Sequence, residues 1–378
     1  MKYMGSKRAM LQNGLGEILR SAAKGHRRVV DLFCGAASVS WFAAQELGKP
    51  VLATDLQEYA VVLARAIIER DTPMETESLT ESWLEEAREK RKQSRVWLAA
   101  SRLDLARYNA ATWSKRAKEL CAERSNDGSN IWRAYGGHYY SPTQALTFDA
   151  LLECLPSERV RRSVCLAATV IAASKCAAAP GHTAQPFKAN RTAGPFLREA
   201  WLRDPLVCAK QALSVICPRH AECLGKAQVA DANEMADHLS SDDLVFVDPP
   251  YSGVHYSRFY HVLETVSRGV CGPVEGMGRY PPTDERPASR YSRKTESLAA
   301  ARSLLQSLGR SGCTVVMTFP QDACSNGLSG DQLLEIARQF FVVERNAVKT
   351  RFSTLGGNCT LRQARKTSNE LMLLLKPR

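Results

Sequence analysis

The chain has 378 residues, 44% of them hydrophobic, with a net charge of +12 and a pI near 9.2. That is apolar material for one large domain or two ordinary ones, and no run of it approaches the ~20 residues of a membrane span. A positive excess of this size is more than a small-metabolite enzyme needs, and it points to a polyphosphate such as nucleic acid.

From the N-terminus, "MKYMGSKRAM" has a polar middle and no apolar core, so no signal peptide is expected. An amphipathic stretch (about 8–23) leads into "RRVVDLFCGAAS", where Val29–Phe33 has the pattern of a buried parallel strand entering a small-residue turn. A helix at 38–47, a short strand ending at Asp55 and a helix at 58–70 follow. Strand–helix–strand–helix with short loops implies a doubly wound parallel sheet.

The pattern changes after Asp71. Ser78-Leu-Thr-Glu81 has the form of a capping box and is expected to open a long charged helical stretch to about Ser125. Within it "REKRKQSR" (88–95) sets five cations against one acid, either as a solvated helix face or as a phosphate-facing one. An aromatic, glycine-containing segment (132–142) precedes more helix to about Lys175. "PGHTAQPFKANRTAGPF" (180–196) is rich in turn formers and resembles a loop or hairpin. Strands resume at 227–234 and in "DLVFVDPPY" (243–251). A Pro, Gly and Arg-rich stretch (272–294) resembles a mobile arm, and a strand at 313–320, a helix at 330–340 and two apolar strands finish the fold. The twelve cysteines are scattered without a Cys-x-x-Cys, which suggests reduced thiols in a cytoplasm; Cys217, His220 and Cys223 lack a fourth metal ligand nearby, so no metal is expected.

Four expected strands end in acids: Asp31, Asp55, Asp231 and Asp248. Open parallel sheets bind ligands at those ends, and an acid closing the second strand suits the hydroxyls of a ribose. The G-x-G-x-x-G fingerprint is absent, since Gly35 is followed by Ala-Ala-Ser-Val-Ser. The residues therefore suggest a nucleoside ligand without a pyrophosphate.

"KYMGSK" (2–7), "DLFCGAAS" (31–38), "QVAD" (228–231) and Asp-Pro-Pro-Tyr (248–251), in that order, resemble the blocks of the Dam-like D12 class of adenine-specific DNA methyltransferases. "QPFK" (185–188) is similar to that family's DNA-contacting loop. The resemblance implies an α/β fold with a Rossmann-like class I methyltransferase sheet, mostly parallel with an antiparallel last strand. Residues 1–70 and 226–378 would form the catalytic domain, and 71–225 a mainly helical insertion for target recognition. It implies S-adenosylmethionine as methyl donor and S-adenosylhomocysteine as product. Tyr3 and Lys7 would lie against the cofactor's methionine end, with Asp31, Phe33 and Gly35 beneath it. Asp55 would hold the ribose and Asp231 the adenine. The family often has a second glycine where Ala37 stands, and that methyl group is expected to crowd the cofactor.

The reaction class explains the catalytic residue types. Adenine's exocyclic amine is a poor nucleophile because its lone pair is delocalised into the ring. Asp248 and the carbonyl of Pro249 would accept its two protons, Pro249 and Pro250 would fix the backbone, and Tyr251 would stack on the base. The base must be flipped out of the duplex. Tyr256, Phe259 and Tyr260 either extend that pocket or pack into the core. Lys188, Arg191, Arg290 and Arg293 are the candidate DNA contacts, and the resemblance further implies a restriction-modification or related defence context, with a cognate nuclease or other defence components as partners. A cytosine-C5 enzyme needs a nucleophilic cysteine, normally after proline, and the chain has no Pro-Cys. The amino methyltransferases with related motifs usually carry Asn where Asp248 stands. RNA as substrate, and a catalytically idle DNA-binding module, are the remaining alternatives.

Overall fold

A computed structural model of the protein describes residues 7–103, 108–123, 130–353 and 365–378. Tyr3 lies outside them. The described chain forms two compact units: residues up to Asp71, His220–Tyr256 and Pro287–Arg378 build a sheet unit, and Thr72–Arg219 with Ser257–Arg286 a helical one. The helical unit thus takes in a stretch, 257–286, that the sequence reading keeps with the sheet.

The sheet has seven strands: β1 (Arg28–Asp31), β2 (Val51–Asp55), β3 (Lys226–Val229), β4 (Asp243–Val247), β5 (Thr314–Pro320), β6 (Phe341–Ser353) and β7 (Arg365–Pro377). Their order is β3-β2-β1-β4-β5-β7-β6. The first five pair in parallel, while β7 runs antiparallel to both β5 and β6, so the mixed sheet is the expected one. Parallel strands are covered on both faces, and every residue of β4 is buried. The helices Ser38–Glu46, Glu58–Ile68, Ser297–Arg310 and Gly330–Phe340 lie in the connections. Val30, Val245, Val247, Val315 and Met317 share one core with Leu304, Leu305 and Leu371. Burying each such side chain contributes about 1.5–3 kcal/mol.

Two local expectations change. The helix at 8–23 is interrupted at Asn13 and Gly14, where φ of +99° at Gly14 is open to glycine, and it restarts as Gly16–Ala23. Ser78 caps nothing: the helix already begins at Thr76, so Ser78 stands inside the first turn. Side-chain capping boxes form instead at Ser141–Gln144 and Ser329–Gln332.

In the helical unit Trp113 and Trp201 meet edge to face at 5.1 Å inside a small core with Leu197. The basic run at 88–95 is largely paired within the unit. Lys90 meets Glu153 at 2.6 Å, Lys92 meets Glu89 at 2.6 Å, and Arg91 hydrogen-bonds Thr147 and covers the Trp97 ring. The part of the expected arm at 272–286 is pinned in place. Glu275 and Tyr280 exchange backbone hydrogen bonds, Arg279 donates to the carbonyls of Ala134 and Arg133, and the Tyr139 hydroxyl donates to Gly278. A Cβ at Gly278 would stand 2.5 Å from the Ala184 carbonyl oxygen, so the close approach needs glycine.

Candidate active site

Register sets the sheet unit's carboxylates side by side. Asp31 is paired with Ala53, two residues before Asp55; Asp55 is paired with Val229, two residues before Asp231. On the other side Asp31 is paired with Phe246, two residues before Asp248. The four acids therefore stand at the carboxyl ends of four adjacent parallel strands, and between β1 and β4 the strand order reverses. That switch point is where open α/β sheets leave a crevice for ligands.

Burial governs the charge of this rim. Asp31 is 1% exposed and pushed up to about 7, by burial first and then by Asp248 and Asp55, against the hydroxyl of Ser40 and the N–H of Phe33. Ser40 donates to its Oδ2 at 2.6 Å, and Oδ1 is buried with no partner. Asp55 is raised by burial to about 6 although its oxygens accept the backbone N–H groups of Gly35 and Gln57, each at 3.0 Å. A carboxylate offers about four acceptor positions, so two remain for other donors. Asp231 caps the helix Ala232–Ala236, accepting from Asn233 and Glu234, and lies 3.5 Å from Arg290.

The turn after β1 takes left-handed backbone at Gly35 (φ +46°) and at Ala37 (φ +57°). Ala37 has no exposed surface, so its methyl does not project into open space beside the rim. Its cost is instead the left-handed conformation, about 1 kcal/mol. Phe33 packs edge-on against Tyr291 at 5.2 Å.

Beyond β4 the backbone turns at Asp248-Pro249-Pro250-Tyr251. Asp248 Oδ1 accepts from Thr318 Oγ1 at 2.9 Å and pairs with Lys7 Nζ at 2.9 Å. Burial raises this carboxyl to about 6, with Lys7 pulling down and Glu370 pushing up. Lys7 is 5% exposed and also pairs with Glu370 Oε1 at 2.6 Å. Burial opposes its charge, but the two carboxylates outweigh burial and hold the ammonium well above the ordinary lysine value. The buried Asn326 donates to the carbonyl oxygens of Pro250 (2.9 Å) and Tyr291 (3.0 Å), bracing the turn. No donor among the described residues reaches the carbonyl of Pro249. The Tyr251 ring lies edge-on to Tyr256 and Phe319 at 6.4 and 6.5 Å.

Residues 3–119 match a family model. The family is the D12 class of N6 adenine-specific DNA methyltransferases. The D12 match spans Lys7, the turn after β1 and Asp55, and ends before the Asp-Pro-Pro-Tyr turn. A second comparison gives Modification methylase StsI of Streptococcus sanguinis, 27% identical over 117 residues. The aligned part is 31% of this chain and 17% of that protein, so the chain spans less than a fifth of the relative's length. The seven-stranded sheet, mostly parallel with antiparallel last strands, is consistent with a class I methyltransferase fold.

Of the residues singled out from sequence, Lys7, Asp31, Phe33, Gly35, Asp55, Asp231 and Asp248–Tyr251 all fall in the sheet unit. Phe259 and Tyr260 are core residues of the helical unit, 4% and 1% exposed. Of the four candidate DNA contacts, Lys188 and Arg191 are exposed on the helical unit. Arg293 is tied to Glu296 at 2.9 Å, as Arg290 is to Asp231. Sequence reasoning missed Thr318, Asn326 and Glu370. The signal for the last was an acid at the start of the apolar run "NELMLLL".

No helix among the described residues is long and apolar enough to cross a membrane.

Proposed function

We propose that the protein transfers a methyl group from S-adenosylmethionine to the exocyclic amine of adenine in DNA. The observation that carries this reading is the turn after β4. One Asp248 oxygen is fixed by Thr318 and Lys7, the other meets no donor among the described residues, and the neighbouring Pro249 carbonyl is likewise without one. Two acceptors side by side suit an NH₂ group, because accepting both protons favours the pyramidal amine and localises its lone pair. The two prolines supply no competing N–H, and Asn326 holds the second of them in register. Tyr251 would stack on the flipped base, worth about 1–3 kcal/mol against the few kcal/mol that unstacking costs.

The rim fits the cofactor. Asp31 keeps an orphaned, buried oxygen and would hold the cofactor's ammonium; Asp55, with acceptor capacity left, would hold the ribose hydroxyls. Three carboxyls raised towards neutrality by burial favour a cationic ligand. When bound, S-adenosylmethionine supplies a methyl group on a sulfonium, an electrophile that needs only positioning. Exposed Lys188 and Arg191 are the proposed phosphate contacts, and the helical unit the proposed recognition element.

The test is methyl transfer from labelled cofactor to duplex DNA, single-stranded DNA and RNA, with the modified base identified by mass spectrometry. N6-methyladenine in DNA, absent with Asp248→Ala, is expected. Full turnover in that variant, or label on RNA alone, would overturn the reading.

A further inference from the structure

A buried lysine facing the Asp248 carboxylate poses a problem for the proposed chemistry. An ammonium at 2.9 Å draws electron density from an oxygen, and a fully neutralised carboxylate is a weaker acceptor for the adenine amine. Glu370 removes the difficulty. It stands on β7 opposite Pro320 of β5, is 3% exposed, and takes the same Lys7 nitrogen at 2.6 Å, closer than Asp248 does. The Lys7, Asp248 and Glu370 side chains together carry one positive and two negative charges. Water reaches them little, so the surplus negative charge is not screened away.

We propose that Glu370 is a positioning residue of this site: by holding Lys7 from the far side, it leaves Asp248 a share of negative charge with which to grip the amine. This rests on the methyl-transfer reading above. The direction of the Asp248 shift agrees, since Glu370 pushes the carboxyl up while Lys7 pulls it down. The other titratable neighbours are Asp31, which faces Asp248 from β1, Tyr251 of the same turn, and Cys324, which faces Glu370. None of them touches Lys7 with a second carboxylate, so Glu370 is the group whose removal changes the sharing. A buried glutamate within a strand is costly unless paired, and the pairing here leads to the reacting turn rather than to solvent.

The test is Glu370→Gln, which keeps shape and an acceptor for Lys7 but removes the charge. Rate is measured against pH, with cofactor affinity and melting temperature in parallel. The acid limb of kcat reports ionisation of Asp248 and is expected to move down by about one pH unit, with the plateau kcat falling about tenfold. Glu370→Asp keeps the charge and is expected to leave the limb near its wild-type position. A limb that stays put in the Gln variant, whatever happens to the melting temperature, overturns the proposal, because a purely structural role would lower stability without moving it. If the Gln variant does not fold, carboxyl-¹³C aspartate in the wild type gives the answer. The Asp248 signal must then titrate in two steps, also in Asp31→Asn where that neighbour cannot ionise, and a single sigmoid overturns the proposal. A wild-type protein that methylates no adenine defeats the reading beneath it instead, so the two failures are distinct.

Discussion

Asparagine in place of Asp31 separates the charge of the rim from its shape. The carboxyl lies at the end of β1, 1% exposed, with one oxygen held by Ser40 at 2.6 Å and the other buried without a partner. Burial pushes it from 3.8 to about 7. At 1.36 kcal/mol per pH unit, keeping it ionised in the folded state costs at most about 4 kcal/mol, and water entry and relaxation reduce this to about 2 kcal/mol. The folded state holds the proton more tightly than the unfolded one, so stability is greatest in acid. It falls as pH rises from about 4 to about 7, and is level above that. Asparagine is close in size, can still accept from Ser40 and does not ionise. Asp31→Asn is therefore expected to stabilise the cofactor-free protein by about 2 kcal/mol at pH 8, with a smaller gain at pH 5 and almost none near pH 3. Urea unfolding followed by circular dichroism at these pH values measures it. An equal gain at all of them, or a loss at pH 8, would show that the charge of Asp31 is not what strains the rim. Calorimetry on the same variant should show at least about tenfold weaker S-adenosylmethionine binding, the exchange of stability for function expected of a binding carboxylate.

Asn326→Ala removes the brace on Pro250 and takes the donor from the carbonyls of Pro250 and Tyr291; a stability loss of about 2 kcal/mol and a fall in kcat larger than any change in cofactor affinity are expected from unfolding and steady-state kinetics. Unaltered kcat would mean that the turn holds itself. Affinity for duplex DNA should drop steeply between about 50 and 200 mM salt, and replacing Lys188 and Arg191 with Ala should reduce the slope of log K against log salt by about 2. Fluorescence anisotropy reads both, and an unchanged slope would remove these two side chains from the interface.

The sheet was legible because its strands obey one simple rule: "LVFV" and "TVVMTF" are short runs dominated by apolar and β-branched residues, as strands covered on both faces usually are. The acids that end those runs marked the carboxyl edge of the sheet for the same reason, as a carboxylate closing a buried strand has few structural excuses. Contacts made across hundreds of residues were not legible. Nothing near Lys7 in the sequence announces Glu370, and a lysine in a polar N-terminal stretch also reads as surface. The ion pairs of Arg290 and Arg293 were not legible because charge patterning cannot see Asp231 or Glu296 approaching in space. The expected looseness failed differently over 272–286: its prolines and glycines are turn formers, but the side chains that pin it, Arg279, Tyr139 and Tyr280, are scattered. At Ser78 a four-residue pattern met a helix that had already started, and local signals carry no veto over their context.

The hydrogen bond between Lys7 and Glu370 joins residues 363 positions apart. Lys7 precedes β1, and its second carboxylate comes with β7, the strand that pairs with both β5 and β6. Until β7 pairs with β5, Lys7 has at most Asp248 to neutralise it, so the electrostatics of the turn after β4 are set only when that strand docks. A folding intermediate with β1–β5 paired and β7 undocked would still lack the second carboxylate beside Lys7.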